Sequence, residues 1–179
     1  NAGDREATEN VALLFGYLKN ADKNEFIVQK AVELGVKKIV AFSSEYSSAY
    51  MNENKLERLN KVSREAAKQC LRSVAPRVIY CGDFQSALKE ADGYENKLFA
   101  CEFAKDSEAE LSTLKGSCAL IVGSEGGFSE KEAALAKENG FSSITLGKRI
   151  LRAETAAVAL TAVVMFSLGE LGGRRGEKV

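Results

Sequence analysis

The chain contains no histidine. That absence removes the Ser-His-Asp and Cys-His nucleophile systems, the histidine proton shuttle and every imidazole metal ligand, so no metal is expected. An excess of charge is lacking too, because 25 Lys and Arg balance 25 Asp and Glu. Any polyanionic partner must then be met by a local basic patch, since the chain as a whole is not basic. Cysteine is sparse. Cys70, Cys81, Cys101 and Cys118 form no C-x-x-C pair, which leaves zinc and thioredoxin-type redox sites without support. Spread singly through apolar runs, they read as reduced, mostly buried thiols of a cytoplasmic protein. The longest apolar run, Ala156 to Phe166 with Thr161 inside it, is too short to span a bilayer. Nothing at the N-terminus reads as a signal peptide, so no membrane partner is expected.

What is present is ordinary globular composition: 179 residues, 45% hydrophobic and 28% charged. This is enough for one domain with a substantial core. Strand-like and helix-like segments alternate. Val11–Tyr17 reads as a strand, and Lys23–Leu34 as a helix stopped by a left-handed Gly35. Lys37–Phe42 is a buried strand and Glu53–Leu71 a long helix. Pro76 precedes a strand at Arg77–Tyr80, and Asp83 caps a short helix reaching Ala91. Lys97–Glu102 and Ser117–Gly123 are further buried strands. Ser129 opens a helix ending near Asn139 and Gly140, Ser143–Leu146 is a strand, and a last helix runs from about Glu154 to Leu168. The alternation predicts an α/β fold, a mostly parallel sheet with helices on both faces. Residues 1–10 read as an extension, with Asn1-Ala2-Gly3 as a cloning remnant, and the basic tail 169–179 is expected to be mobile.

On the Glu53–Leu71 helix, Leu56, Leu59, Val62, Ala66, Ala67 and Cys70 fall on one side. Lys61, Arg64, Lys68 and Arg72 fall on the other. Such a stripe is either a solvated face or a surface that tracks phosphates.

Two segments carry the chemical signal. Ile121-Val122-Gly123-Ser124-Glu125-Gly126-Gly127-Phe128-Ser129 takes a strand through a tight glycine loop into a helix, and Glu132 completes a capping box with Ser129. In open α/β sheets, ligands bind at such strand ends. The loop carries neither G-x-x-x-x-G-K-[ST] nor G-x-G-x-x-G, so neither phosphate-loop class fits. The second segment, Leu146-Gly147-Lys148-Arg149-Ile150-Leu151-Arg152-Ala153-Glu154-Thr155-Ala156, offers an apolar wall with charges at its rim. The helix that follows is apolar on nearly every side, which suggests burial against a second subunit as well as its own sheet.

These two segments together resemble the ribosomal RNA small-subunit methyltransferase E family of the SPOUT class. Ile27-Val28-Gln29-Lys30 with Glu33-Leu34-Gly35-Val36, and Glu65-Ala66-Ala67-Lys68-Gln69 with Arg72 and Pro76, add to the likeness, which covers about Leu13 to Leu168. The resemblance implies a SPOUT methyltransferase domain over 11–168 with a C-terminal trefoil knot. It implies S-adenosylmethionine in the knot loops, a homodimer, and methylation of N3 of a uridine in 16S ribosomal RNA, free or in the small ribosomal subunit. It also implies an N-terminal RNA-binding barrel of PUA-like type, for which this chain has no room. Ser124 stands where many members carry Pro, and Asn20 where Lys is common.

On this resemblance, Ile121, Gly123, Glu125, Gly126, Gly127, Leu146, Gly147, Ile150 and Leu151 line the cofactor site. Lys61, Arg64, Lys68, Arg72 and Arg149 contact RNA. A uridine imide must lose its proton to accept a methyl group, and without histidine the base is a carboxylate or water. Glu125 and Glu154 are the candidates, and Arg152 is placed to stabilise charge on the uracil oxygens. Glu154 has other readings, as a charge at a helix start or an ion pair with Arg152. Two other functions compete: a SPOUT enzyme acting on transfer RNA or ribose, and an inactive cofactor-binding RNA module.

Overall fold

A computed structural model of the chain describes residues 5–47, 49–101 and 109–172. Six strands, β1 (Val11–Gly16), β2 (Lys38–Ser43), β3 (Val78–Asp83), β4 (Asn96–Ala100), β5 (Cys118–Val122) and β6 (Ser142–Ile144), form one sheet. Its order is β3-β2-β1-β5-β4-β6, and every pairing is parallel. The helices are α1 (Ala21–Glu33), α2 (Glu53–Gln69), α3 (Phe84–Lys89), α4 (Glu130–Glu138) and α5 (Ala153–Ser167), with a 3-10 turn at Leu111–Thr113.

Strand alternation divides the core in two. Val11, Leu13, Phe15, Ile39, Leu120 and Val122 face α1, α2 and α5. Ala12, Leu14, Val40, Phe42, Phe99, Ala119 and Ile121 face α3 and α4. Because both faces are covered, β1 and β5 are apolar at every position and buried throughout. The expected helices and strands all form, with ends that follow local caps. Asn20 accepts hydrogen bonds from the amides of Asp22 and Lys23, so α1 begins two residues before the apolar periodicity does. β3 runs on to Asp83, which then caps α3 through the Ser86 amide. β6 is only three residues long, and Leu146 belongs to the loop beyond it. The Glu102 end of the expected fourth strand lies outside the described residues. Gly35 adopts φ +95°, the left-handed stop. All four cysteines are free; Cys101 and Cys118 are buried, and burial pushes the Cys118 thiol up to about 11.

The end of α2 corrects one expectation. Leu71 takes φ +62°, and the Arg72 amide returns to the Ala67 carbonyl, which folds Arg72 back beneath the helix. Its guanidinium donates to the Val32 and Val36 carbonyls at 2.9 Å each and to Glu6 Oε2 at 2.7 and 3.0 Å. The side chain is 3% exposed. Arg72 is therefore a buried cation closing the end of α1, out of reach of any RNA phosphate.

Residues 5–10 are tied to the domain by the same pair and by three backbone contacts. Lys37 Nζ donates to the Thr8 carbonyl, the Glu9 amide to Glu170, and the Cys118 amide to Asn10. At the other end, Gly169 to Leu171 turn back onto Met165 and Phe166, so the first part of the expected tail is held. Asn1-Ala2-Gly3 and residues 173–179 lie outside the described residues.

Removing a buried partner leaves an uncompensated charge, so Arg72→Ala should cost about 3–5 kcal/mol in urea unfolding. The Arg72 guanidinium also holds the Glu6 carboxyl below its ordinary 4.5. Stability from that group is present above pH 4.5 and lost as pH falls through the lower folded value. Glu6→Gln should therefore unfold more easily than the parent at neutral pH, with the gap narrowing as pH falls below 4.5.

Candidate functional site

The carboxyl ends of β4, β5 and β6 open onto a cleft of about 320 Å³. Its first wall is the turn after β5. The Gly127 amide bonds the Ser124 carbonyl at 2.9 Å, and Gly127 takes φ +68°. A Cβ on Gly123 would lie 3.0 Å from the Gly127 backbone, so the turn closes on itself only because both residues are glycine. Phe128 anchors the far end, its ring packed against Phe84 and Phe99 at 5.7 and 5.8 Å. Ser129 then caps α4 in a full capping box with Glu132.

Neighbouring strand ends clamp this turn. A Cβ on Gly16, the last residue of β1, would lie 2.5 Å from the Ser124 nitrogen, so the two backbones are in direct contact. Ser44 and Ser124 share a hydrogen bond at 2.8 Å. The buried Glu132 carboxylate accepts from the Glu45 amide, while Ser129 Oγ donates to the Glu45 carboxylate at 2.6 Å. The Lys19 amide donates to Glu125 Oε1 at 2.8 Å.

The second wall is the segment after β6, where Gly147 takes φ +99° and Leu146 and Leu151 line the interior. Ile150 stands at the lip, 86% exposed. Ala100 and Cys101 close the β4 side, and the first turns of α1 and α5 contribute Lys23, Ala153 and Glu154. Lys23 Nζ lies 3.3 Å from Glu154 Oε1. Lys148, Arg149 and Arg152 are exposed at the mouth and make no ion pair among the described residues.

Of the residues singled out in the sequence, Gly123, Glu125, Gly127, Leu146, Gly147, Ile150 and Leu151 surround this cleft, together with Arg149, Arg152 and Glu154. Ile121 does not; it faces α3 and α4, and Val122 is the strand residue at the cleft. Gly126 packs against Tyr46 on the other side of the turn. Glu154 pairs with Lys23, not with Arg152. The α2 stripe lies elsewhere, on a helix packed against α1 and β3. Lys61 and Arg64 are exposed but lie 3.9 and 2.7 Å from Glu65 and Glu57, and Lys68 is exposed. No local pattern points to Lys23, whose partner is far along the chain. Gly16 had one available signal, a glycine ending the first apolar run.

A parallel sheet with a glycine-loop cleft at its strand ends defines the class, and residues 5–165 match the RNA methyltransferase domain family. More specific relatives follow. Ribosomal RNA small subunit methyltransferase E of Mesomycoplasma hyopneumoniae (strain 232) is 37% identical over 161 residues, covering 88% of this chain and 70% of that protein. The Bacillus subtilis (strain 168) protein of the same name is 34% identical, covering 89% and 67%. The crystal structure of ribosomal RNA small subunit methyltransferase E from Neisseria gonorrhoeae, bound to S-adenosyl methionine, superposes with TM-score 0.82 at 30% identity, covering 96% and 72%. The chain belongs to the ribosomal RNA small subunit methyltransferase E family.

Gly16→Ala should force the β1 end away from the cleft turn. The expected result is a loss of about 1–3 kcal/mol in thermal or urea unfolding, with weaker cofactor binding by calorimetry.

Proposed function

We propose that this chain is an S-adenosylmethionine-dependent methyltransferase that modifies N3 of a uridine in 16S ribosomal RNA. The observation that carries this reading is the cleft built by the turn after β5 and the segment after β6. Its residues fit the cofactor. Gly123, Gly127 and Gly147 keep side chains out of the cleft so that loop backbone can face an adenosine, Leu146 and Leu151 supply apolar walls for the base, and the lining charges of both signs suit an amino-acid zwitterion. When bound, the cofactor supplies an electrophilic methyl group on a sulfonium.

The chain's own residues do the rest. Glu154 is held in the cleft by Lys23, with Oε2 free among the described residues to take the imide proton. Glu125 has one oxygen committed to the Lys19 amide and is exposed, so it serves better as a clamp on the β1 loop than as the base. Arg152, exposed at the start of α5, offsets negative charge on the uracil oxygens as the proton leaves. Arg149 and Lys148 at the mouth meet phosphate, a better-placed basic patch than the α2 stripe because they lie at the cleft and form no ion pair among the described residues, whereas Lys61 and Arg64 are paired.

The proposal includes a trefoil knot and a homodimer. In support of the knot, β6 lies at the sheet edge beyond β4, yet α5 returns to pack on α1, β1 and β5, with the 111–113 turn against it. In support of the dimer, α5 carries one charged residue, and its outer face leaves Val163 and Phe166 exposed, 40% and 55%. Among the described residues no helix is long and apolar enough to cross a membrane, and the reading places the enzyme with ribosomes in the cytoplasm.

The tests are calorimetry with S-adenosylmethionine and methyl transfer to small ribosomal subunits lacking the mark. Binding together with label on a uridine base is expected; no binding, or label only on ribose or transfer RNA, contradicts the proposal. Arg152→Ala should bind the cofactor normally while kcat falls about 100-fold. Glu154→Gln should lower kcat while leaving S-adenosylmethionine binding in place, read by steady-state kinetics beside calorimetry.

A further inference from the structure

On the far side of the cleft turn, the loop between β2 and α2 displays two tyrosines that the mechanism does not use. Tyr46 is 58% exposed and Tyr50 72% exposed. Exposed tyrosine rings offer flat, amphipathic surface suited to a contact. Tyr46 is also held in place. Ser44 and Glu45 before it are bonded to Ser124, Glu132 and Ser129, and Ser47 after it donates to the Tyr17 carbonyl at 3.1 Å. Its Cβ sits so close to Gly126 that a Cβ there would lie 2.8 Å away. The ring is thus presented on a loop fixed to the cleft turn. Neither tyrosine hydroxyl has a partner among the described residues.

The electrostatic surroundings select the occupant. Lys55 Nζ lies 5.7 Å from the Tyr50 ring centroid and donates to the Tyr50 carbonyl. Lys19 is exposed on the adjoining β1 loop. Of the carboxylates nearby, Glu45 accepts from Ser129 and Glu125 from the Lys19 amide, and neither forms an ion pair with these lysines among the described residues. Aromatic faces beside ammonium groups that form no ion pair among the described residues suit unpaired nucleotides, which stack their bases and leave phosphates to the cations. All of these loops lie at the carboxyl end of the sheet, the same end as the cleft.

We propose that Tyr46 and Tyr50 form a stacking platform for single-stranded RNA flanking the target uridine. The platform extends the methyltransferase reading and rests on it. It makes the enzyme selective for an unpaired strand, because bases inside a duplex have no free face to offer.

Tyr46→Ala keeps the Cβ that seats on Gly126, so the loop should stay in place. With a fluorescein-labelled oligouridine, Tyr46→Ala and Tyr50→Ala should each weaken binding about tenfold. The Phe variants should bind as the parent does, and S-adenosylmethionine affinity should be unchanged in all four. The chain has no tryptophan and five tyrosines, so its ultraviolet emission is tyrosine emission. Stacking should quench it with the single strand, and the Ala pair Tyr46→Ala/Tyr50→Ala should abolish that quenching. The platform is overturned if the Ala variants bind the single strand like the parent, if a duplex of equal length shows the same loss, or if the parent retains no single strand. Failure of the parent to bind S-adenosylmethionine would instead overturn the enzymatic reading.

Discussion

The site depends on one steric constraint, the contact between the backbone at the end of β1 and the backbone of the turn after β5. Gly16 and Ser124 approach so closely that no side chain fits between them. Paired strands lie about 4.8 Å apart, but loops leaving their ends ordinarily diverge. Here they stay together, and polar groups complete the join, from the buried pair Ser44 and Ser124 to Glu45 with Ser129 and Glu132, and Lys19 with Glu125 at the surface. No buried side-chain nitrogen or oxygen among the described residues is left without a partner. A fully satisfied network of this kind holds one geometry, because each alternative leaves a polar atom unpaired. A cleft whose walls are mostly loop backbone needs that rigidity, since recognition through amides and carbonyls works only if the loops hold still.

Charge is distributed on the same principle. The total is zero, but the cations fall into two populations. On α2, Arg58, Arg64 and Lys61 are neutralised: Arg58 forms two bonds to Glu25, Arg64 meets Glu57, and Lys61 lies near Glu65. Such exposed pairs contribute little stability, yet they remove the field that a polyanion would feel. At the cleft mouth, Lys148, Arg149 and Arg152 remain unpaired among the described residues. The balanced composition therefore conceals a local excess at the strand ends, where Arg149 was expected beside the stripe on α2.

The order of elements was readable because each depends on local chemistry: the apolar runs of β1 and β5, the Ser129–Glu132 box, and Gly35 beyond α1. The two cleft walls were readable because glycines cluster in them. What escaped was whatever depends on direction or on distant partners. A strand apolar at every position carries no sign of which face meets the cleft, so Ile121 was placed there in error and Val122 overlooked. Gly126 looked like its neighbours but serves the packing of Tyr46. Arg72 lies on the outer side of an ideal helix, and only the left-handed turn at Leu71 carries it inward. Lys23 meets Glu154 across more than a hundred residues, a pairing that no local pattern encodes.

Amide hydrogen exchange with and without S-adenosylmethionine tests most directly whether the interlocked strand-end loops form the cofactor site. Protection should rise on adding the cofactor across residues 122–128 and 144–154, with α2 and β3 unchanged. Protection confined to the groove between α2 and β3, or none in the two cleft loops, would contradict it.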